Sequence, residues 1–416
     1  MDYNKRFADD LLAARLGRAG AVLIEGVKGC GKTETARQVA RSIAQMDVDE
    51  DIRLRMDVDP DSVLLGDSPR LIDEWQAFPQ IWNRIRHEVD NRKQKGLYIL
   101  TGSANPEERD RLHSGAGRFS IMRMRPMSLY EKGWSSGEVR LEGLMHGLVP
   151  KSETVPFNLL KMAEYIAIGG WPALLDAEVG DAQAFVRDYA DLIAEVDLSR
   201  VSNKKRDPLK VKRLMQSLSR NTATMASVSL LSRDTGGSEV SVTDETIADY
   251  LEALERLMAY EPLPAWSTHI RSSATLRKAP KRHFTDPSLA AGILGLTAGK
   301  LTGDLKFFGF LFESLVIRDL RIYADTHGGQ VYHYHDSANQ EVDAIIEYPD
   351  GRWGAFEVKL GIEDQDAAAA SLLAFAKKID TEKTLPPAAL TVVTGNGFAF
   401  RRKDGVNVVP ILALTA

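Results

Sequence analysis

Residues 26–33 read GVKGCGKT, and they stand between an apolar run at residues 21–24 and a run of helix formers from Thr35 to Ala44. The order strand, glycine-rich loop, helix is the setting that a phosphate-binding loop requires. The alternative is a glycine-rich turn that only joins a strand to a helix. The full G-x-x-x-x-G-K-T spacing in this setting disfavours that alternative. The stretch therefore predicts a site for a nucleoside triphosphate.

The residues of this loop have separate predicted roles. Glycines allow successive backbone N–H groups to turn inward around a polyphosphate, and the start of the following helix favours the same anion. Lys32 is predicted to reach the β- and γ-phosphates, and the Thr33 hydroxyl to bind Mg²⁺. The predicted cofactors are ATP and Mg²⁺. The loop positions predicted to contact the nucleotide are Gly26, Gly29, Cys30, Gly31, Lys32 and Thr33.

Length and composition restrict the class of protein. The chain has 416 residues, 44% of them hydrophobic and 27% charged, which is typical of a globular protein with two or three domains. No apolar run approaches the ~20 residues that span a bilayer, and no signal peptide precedes the first helix, so we expect a cytoplasmic protein without a membrane partner. Its one cysteine, Cys30, excludes a disulfide framework. A net charge of −5 means that a nucleic-acid surface would have to be a local patch.

A second nucleotide motif follows at residues 71–74, which read LIDE. A short apolar strand that ends in two carboxylates is expected about 40 residues after a phosphate loop in a parallel sheet. Asp73 is predicted to hold the Mg²⁺ shell, and Glu74 to polarise the attacking water. Taken alone, an Asp-Glu pair is more often a solvated strand end.

Two further stretches suggest residues that act on the γ-phosphate. The run Leu97 to Leu100 predicts a buried strand that ends in TGSA, so Ser103 or Thr101 would sense the γ-phosphate, or would form an ordinary strand cap. Arg118 follows a glycine turn and is the candidate for stabilising transition-state charge in a neighbouring subunit. The alternative for Arg118 is a surface arginine. Arg123 and Arg125 are the next candidates.

The motifs above occur in the order seen in a large family of prokaryotic AAA-type ATPases, which the chain resembles over nearly its whole length. The run RPMSLYE at residues 125–131 and GGWP at residues 169–172 are similar to further signatures of that family. The resemblance implies an ATPase of the additional-strand type and an oligomer, of which a ring is one form. It also implies a C-terminal domain of unknown function that resembles a restriction endonuclease. It identifies no substrate.

The predicted fold class is α/β, with three domains at residues 1–149, 150–294 and 295–416. The first is a P-loop AAA-type domain with a parallel sheet. The second begins with a helical lid, at Leu159 to Ile168 and Ala182 to Leu198. It continues with three helices, Pro208–Arg220, Val228–Arg233 and Thr243–Leu257, and a β-hairpin formed by Tyr260–Trp266 and Lys281–Phe284, which is the outline of a winged helix. The third is a restriction-endonuclease-like α/β domain.

The winged-helix outline separates acidic from basic residues. Its third helix carries five acids, which would repel DNA phosphates, whereas the candidate wing is basic. The wing is therefore predicted to contact DNA phosphates without reading sequence. The alternative is a structural module with a solvated basic loop. The predicted nucleic-acid contacts are Arg271, Arg277, Lys278, Lys281 and Arg282.

The last domain contains the pattern of a PD-(D/E)xK nuclease. Asp343 lies on one predicted strand, and Glu357 and Lys359 lie on one face of the next, after an Asp-Gly turn. Asp343, Glu357 and the helix residue Glu313 are the predicted Mg²⁺ ligands, and Lys359 would act on the attacking water. Alternating charges on an exposed strand are the alternative. Such a domain either cleaves DNA or serves only in binding or assembly.

Two functions remain open from the sequence. The first is an oligomeric ATP-hydrolysing motor or remodeller that engages DNA, with a C-terminal domain that binds or cleaves it. The second is a slow ATP-dependent switch whose later domains bind a protein partner and whose nuclease-like site is vestigial. A motor requires turnover that DNA stimulates, whereas a switch hydrolyses slowly and ignores DNA.

Overall fold

The computed structural model describes residues 3–102, 114–198, 206–236, 242–267, 279–381 and 384–416. Four residues with predicted roles, Ser103, Arg271, Arg277 and Lys278, lie outside the described residues. The chain divides into two compact units. The first comprises Met1–Pro126, Glu195–Arg206 and Tyr250–Ala259, and the second comprises Met127–Ala194, Asp207–Asp249 and Tyr260–Ala416.

A five-stranded parallel sheet forms the centre of the first unit. Its strands are β1 (Ala21–Glu25), β2 (Ser42–Gln45), β3 (Arg70–Asp73), β4 (Tyr98–Gly102) and β5 (Phe119–Arg123). They lie in the order β2-β3-β4-β1-β5, and every neighbouring pair is parallel. Strand β4 therefore separates β1, which precedes the glycine-rich loop, from β3, which ends in Asp73. This is the arrangement that the additional-strand type implies.

Four α-helices of the described part of the chain accompany this sheet. They are α1 (Phe7–Leu16), α2 (Lys32–Arg37), α3 (Glu50–Val58) and α4 (Ile81–Arg92). The central strands β1 and β4 are continuous hydrophobic runs because both of their faces are buried, as is usual in parallel sheets. Trp82 of α4 stacks on Phe119 of β5 with a ring separation of 3.9 Å. Strands β1 and β4 therefore form the buried centre of the sheet, and their parallel pairing places their carboxyl ends side by side at the loop.

The helix predicted from Thr35 to Ala44 is wrong in its second half. Helix α2 begins at Lys32 and ends at Arg37, and Ser42–Gln45 is strand β2. Ala44 pairs in register with Ile72 and is buried, whereas Ile43 is exposed. This alternation is the period of a strand, and pairing with β3 outweighs the weak intrinsic preference of these residues for helix.

The rest of the chain begins with helices. They are α5 (Leu141–Met145), α6 (Leu159–Ile168), α7 (Val179–Leu192), α8 (Pro208–Arg220), α9 (Val228–Gly236), α10 (Asp244–Arg256), α11 (Pro287–Ile293), α12 (Ala298–Thr302) and α13 (Leu305–Asp325). The predicted bounds of α6 and α8 are confirmed. The predicted helix Ala182–Leu198 instead ends at Leu192 and continues as a π-helical turn, Ile193–Asp197. Within the described residues 260–267 and 279–284, the predicted hairpin after α10 consists of two antiparallel bridges, Tyr260↔Phe284 and Leu263↔Lys281.

A mixed six-stranded sheet forms the C-terminal part of the second unit. Its strands are β7 (Gln330–His335), β8 (Glu341–Glu347), β9 (Trp353–Lys359), β10 (Ala389–Thr394), β11 (Phe400–Arg401) and β12 (Asn407–Pro410), in the order β11-β12-β10-β9-β8-β7. Strands β7, β8 and β9 form an antiparallel meander, and β10 returns parallel to β9 after helix α14 (Gln365–Lys378). The short strands β6 (Val139–Arg140) and β13 (Leu414–Thr415) pair separately.

Two signature stretches of the sequence meet inside the second unit. The amide of Met127 donates to the carbonyl of Gly170, and a Cβ on Gly170 would lie 2.2 Å from the Met127 carbonyl oxygen. Such a close approach of two backbones is possible only for glycine. Buried Arg318 of α13 forms ion pairs with Asp286 and Asp319, and their carboxylates accept hydrogen bonds from the amides of Gly170 and Leu129. The two signatures are therefore structural.

Among the helices that the structure describes, none combines the length and the apolar composition needed to cross a bilayer.

Candidate nucleotide site and the C-terminal ion cluster

The glycine-rich loop leaves the carboxyl end of β1 and enters α2. Gly29 and Gly31 have φ of 73° and 101°, in the left-handed region that favours glycine. Gly26 packs so closely that a Cβ there would lie 2.2 Å from the carbonyl oxygen of Met124. Cys30 is fully buried, with its Sγ 3.6 Å from the same carbonyl oxygen. The loop conformation thus depends on glycine at three positions, and Cys30 contributes packing.

The Lys32 side chain folds back over this loop. Its Nζ donates to the carbonyl oxygens of Gly26 at 2.8 Å and Val27 at 3.0 Å, and the residue is 5% exposed. An ammonium group has three donors, so one remains for a third acceptor. The lysine therefore lies where its predicted contact with a phosphate needs it.

Oxygen atoms from three elements meet beside the loop. The Thr33 hydroxyl of α2 donates to Asp73 Oδ1 at 2.9 Å, and the Thr101 hydroxyl of β4 donates to the same oxygen. Parallel pairing places Asp73 opposite Thr101 at the carboxyl ends of β3 and β4. Hydroxyl and carboxylate oxygens are ligands that Mg²⁺ prefers, so Thr33 and Asp73 fit a magnesium ion. The structure brings the two predicted ligands together.

Glu74 follows Asp73 in an unusual backbone conformation. Its φ of 52° and ψ of 46° lie in the left-handed region, which is uncommon for residues other than glycine, asparagine and aspartate. The Gln76 amide donates to the Glu74 carboxylate. Strained residues of this kind concentrate at functional sites. The turn thus aims Glu74 differently from Asp73, and Gln76 holds it; sequence reasoning missed Gln76.

A second contact missed by sequence reasoning involves the other lysine of the loop. Lys28 Nζ forms an ion pair of 2.6 Å with the carboxylate of Asp197, whose side chain is 11% exposed. Asp197 ends the π-helical turn and belongs to the same compact unit as the loop. The two residues are far apart in sequence, and no local pattern marks Asp197. The Asp197 carboxylate therefore lies beside the predicted triphosphate site.

Arg118 lies at the amino ends of the parallel strands, whereas the loop lies at their carboxyl ends. It immediately precedes β5, whose first residue pairs with Ala21, the first residue of β1, whereas the loop follows the last residue of β1. Its guanidinium forms an ion pair of 2.8 Å with Asp90 of α4. Arg118 therefore cannot serve the loop of its own chain, and its action on a neighbouring subunit stays a prediction.

Six charged side chains form what we call the C-terminal ion cluster: Lys281, Glu313, Glu341, Asp343, Glu357 and Lys359. Within it, Lys359 Nζ lies 2.9 Å from Glu357 Oε2 and 4.0 Å from Asp343 Oδ2, so the predicted nuclease-like residues do converge. The Val358 amide donates to Asp343 Oδ2 at 2.9 Å. The predicted helix acid Glu313 joins them from α13.

Lys281, one of the two lysines in this cluster, contacts oxygen atoms predicted to hold magnesium, which corrects the assignment of Glu313 and Asp343 as metal ligands. Lys281 Nζ contacts Glu313 Oε1 at 2.7 Å, Glu341 Oε1 at 2.8 Å and Asp343 Oδ1 at 3.2 Å. The predicted magnesium ligands Glu313 and Asp343 thus bind an ammonium group. Within the described part of the chain, no group of three or more His, Cys, Asp or Glu side chains is arranged to hold a metal ion.

The predicted DNA contacts of Lys281 and Arg282 are likewise wrong. Lys281 is 1% exposed and Arg282 is 6% exposed, so neither side chain reaches a surface phosphate. Arg282 donates instead to the carbonyl of Ala226 and the hydroxyl of Tyr260. Both residues belong to residues 281–284, which pair with residues 260–263 through two β-bridges. The sequence alone does not show that this pairing buries them.

Burial changes the acid–base properties of the cluster. Burial and the neighbouring Asp343 carboxylate raise the pKa of Glu313 to about 8 and that of Glu357 to about 7. Burial alone would raise the pKa of Asp343, but the ammonium groups of Lys281 and Lys359 lower it below its ordinary value. Burial would lower the pKa of Lys281, and the surrounding carboxylates raise it instead. Asp343 is thus ionised and Lys281 is cationic at neutral pH.

Three segments of the chain match models of known families. Residues 18–132 match an AAA domain, residues 159–300 match a domain of unknown function (DUF8612), and residues 308–414 match another domain of unknown function (DUF4143). The AAA match contains the glycine-rich loop, Asp73, Glu74 and all five strands of the parallel sheet.

Individual proteins are similar over longer stretches. The uncharacterized proteins Rv2008c of Mycobacterium tuberculosis and Mb2031c of Mycobacterium bovis are each 24% identical to this chain over 364 residues, which is 86% of this chain and 74% of theirs. The Walker-type ATPase PABY2304 of Pyrococcus abyssi aligns with a TM-score of 0.43 and 14% identity, over 70% of this chain and 96% of that one. The N-terminal part of this chain thus matches the AAA domain model and resembles a P-loop ATPase domain in its loop and its sheet order.

Proposed function

We propose that the chain is an ATPase that binds ATP with Mg²⁺ at the glycine-rich loop and hydrolyses it. The observation that carries this proposal is the meeting of Lys32, Thr33 and Asp73 at the carboxyl edge of the parallel sheet. The loop supplies backbone N–H groups and one ammonium for phosphates, and the Thr33–Asp73 pair supplies hard oxygen atoms. Each group lies on an element of the same compact unit.

Each of these residues has a separate proposed role in hydrolysis. Lys32 would leave its loop carbonyls in part and neutralise charge on the β- and γ-phosphates. Thr33 and Asp73 would hold Mg²⁺, which neutralises phosphate charge when it is bound. Glu74, turned away from Asp73 by its left-handed backbone and held by Gln76, would accept the proton of the attacking water. Thr101 orients Asp73 by donating to Oδ1.

We propose further that ATP hydrolysis is coupled to DNA. The supporting observation is the sequence of residues 268–278, which contains Arg271, Arg277 and Lys278 and no acidic residue. Such a basic segment favours phosphate contacts that weaken as salt rises. A second function, a switch that binds a protein partner, is supported by the exposed acids of α10, which would attract a basic protein surface. These are Asp244, Glu245, Glu252 and Glu255.

ATP turnover with and without DNA separates the two functions. We expect the full chain to hydrolyse ATP in the presence of Mg²⁺, and single-stranded or duplex DNA to raise the rate at low salt more than at high salt. Replacing Arg271, Arg277 and Lys278 by serine should remove the stimulation and keep the basal rate. Slow turnover that ignores all DNA would favour the switch, and no turnover under any condition would exclude both forms of ATPase.

Arg118 is proposed to complete the site of a neighbouring subunit. Its position at the amino ends of the strands excludes its own loop, and a guanidinium is suited to stabilising phosphoryl transfer. We expect Arg118→Ala and Glu74→Gln proteins each to be nearly inactive alone, and an equimolar mixture to regain turnover, because mixed oligomers contain intact sites. A mixture that oligomerises and stays inactive would contradict action between subunits. The control is an equimolar mixture of Lys300→Ala with Glu74→Gln. Lys300 has no proposed role in hydrolysis, so this mixture shows the turnover that remains when active subunits are merely diluted by inactive ones.

The C-terminal domain is proposed to have a restriction-endonuclease-like fold. Helix α13, the antiparallel meander β7-β8-β9, helix α14 and the parallel strand β10 occur in the order that such a core requires. Because Lys281 contacts two of the predicted metal ligands, we do not propose DNA cleavage by this domain.

A further inference from the structure

The C-terminal ion cluster contains carboxylates, the ligand type that divalent metals prefer, but a lysine from outside the sheet lies among them. Lys281 belongs to a segment that is paired with Leu263 through two backbone hydrogen bonds, of 2.9 and 3.0 Å. Its neighbours Arg282 and His283 are also buried and bonded. The backbone at Lys281 is therefore fixed by its pairing with Leu263 and by the contacts of the two residues that follow it.

The ammonium group of Lys281 uses all of its hydrogen-bonding capacity inside the cluster. It has three donors, and three carboxylate oxygens lie within 3.2 Å of it, from Glu313, Glu341 and Asp343. With 1% of the residue exposed, water does not compete for these contacts. The lysine is thus fully paired where it lies.

Three further oxygens of the cluster are also engaged. Asp343 Oδ2 accepts from the Val358 amide, Glu357 Oε2 accepts from Lys359, and Glu357 Oε1 accepts from the Ser371 hydroxyl at 3.4 Å. The four carboxylates face two ammonium groups in this cluster. Their formal charges sum to −2, so what opposes a metal ion is that Lys281 already occupies the carboxylate oxygens, and not the net charge of the cluster.

A metal ion and Lys281 cannot occupy the cluster together. A metal held by Glu313 and Asp343 would take the oxygen atoms that now accept from the ammonium, and the two cations would lie within a few ångströms of each other in a medium of low dielectric. Lys359 is about one-third exposed and can turn toward solvent, whereas Lys281 is enclosed. The metal would have to displace a lysine whose backbone is fixed.

We infer that Lys281 is the resident cation of the C-terminal ion cluster, that it excludes a divalent metal, and that the cluster fastens residues 279–285 to α13 and β8. The domain then keeps the carboxylates and the strand lysine of a nuclease-like centre without its metal. This inference concerns the C-terminal ion cluster alone and does not rest on the proposed ATPase.

Binding of Mn²⁺ to the full chain, followed by the electron paramagnetic resonance signal of the free ion without nucleotide, tests this inference. Mn²⁺ binding by the wild-type chain should be the same as that by Asp343→Asn, because neither protein should bind the ion at the cluster. Lys281→Ala empties the position of the ammonium and leaves the carboxylates, so it should bind Mn²⁺ at least about tenfold more tightly than wild type. Asp343→Asn added to Lys281→Ala should abolish the gain. Lys300→Ala removes the same charge from an exposed helix and should gain nothing.

Thermal unfolding supplies a second readout. Loss of Lys281 leaves buried carboxylates unpaired, and we expect the Tm of the second unit to fall by roughly 10 °C. Mn²⁺ should raise the Tm of Lys281→Ala and leave that of wild type unchanged, since a ligand stabilises only the state that binds it. If Lys281→Ala does not fold, Lys281→Met keeps the packing of the stem and is measured in the same way. Mn²⁺ uptake by wild type that depends on Asp343, or a folded Lys281 variant that gains none, would overturn the inference.

Discussion

Replacing Lys32 by alanine is expected to weaken ATP binding by at least about tenfold and to abolish hydrolysis. Lys32 Nζ lies within the loop, with two carbonyl contacts and a donor left for phosphate. A hydrogen bond to a charged group contributes about 1.5–3 kcal/mol, which corresponds to a factor of about 10 to 150 in affinity. Calorimetric titration of ATP into both proteins with Mg²⁺ present measures the difference.

The chain contains a matched control for this substitution. Lys28→Ala removes the same charge from the same loop, but Lys28 is 43% exposed and is paired with Asp197. Because the Lys28 ammonium is held by Asp197 and has no predicted contact with phosphate, ATP affinity should change by no more than a few-fold. Equal affinities of Lys32→Ala and wild type would show that the triphosphate is not held at this loop.

Replacing Glu74 by glutamine is expected to lower kcat by about 10²- to 10⁴-fold while ATP affinity stays within a few-fold of wild type. Glutamine preserves the size of the side chain and its contact with Gln76, but its amide cannot accept a proton from water. The backbone stays left-handed in both proteins, so the substitution should not disturb the fold. Single-turnover hydrolysis, measured with saturating ATP, isolates the chemical step.

A suitable control for Glu74→Gln is Glu34→Gln, which makes the same chemical change on the exposed face of α2. We expect that variant to hydrolyse ATP at the wild-type rate. Undiminished turnover in Glu74→Gln would remove Glu74 as the base and leave Gln76 and the strained turn without a catalytic role.

Local patterns in the sequence predict the phosphate loop and its partners well. The loop spacing fixes Lys32 and Thr33, and an apolar strand that ends in Asp73 fixes the second motif. Parallel pairing then brings these residues to one edge of the sheet. The same reasoning fails from Ser42 to Gln45, where pairing with β3 selects strand, and it cannot find Asp197, which reaches the loop from a distant part of the chain.

The C-terminal ion cluster shows the limit of reading charge from sequence. Lys281 and Arg282 stand in a basic stretch, which predicts an exposed surface for phosphates. Their burial depends on pairing with residues 260–263 and on carboxylates contributed by α13 and β8. A buried lysine and an exposed one look alike in a sequence, because only the tertiary partners distinguish them. The sequence pattern predicts that Asp343 and Glu357 lie close together, but it does not identify Lys281 as a cation of the same cluster.

The most direct test is an equilibrium titration of the full wild-type chain with ATP, with Mg²⁺ present and with it chelated. The account predicts saturable binding of one ATP per chain that is tighter with Mg²⁺ and is lost in Lys32→Ala. A correctly folded wild-type chain that shows no saturable affinity for ATP with Mg²⁺ would contradict it.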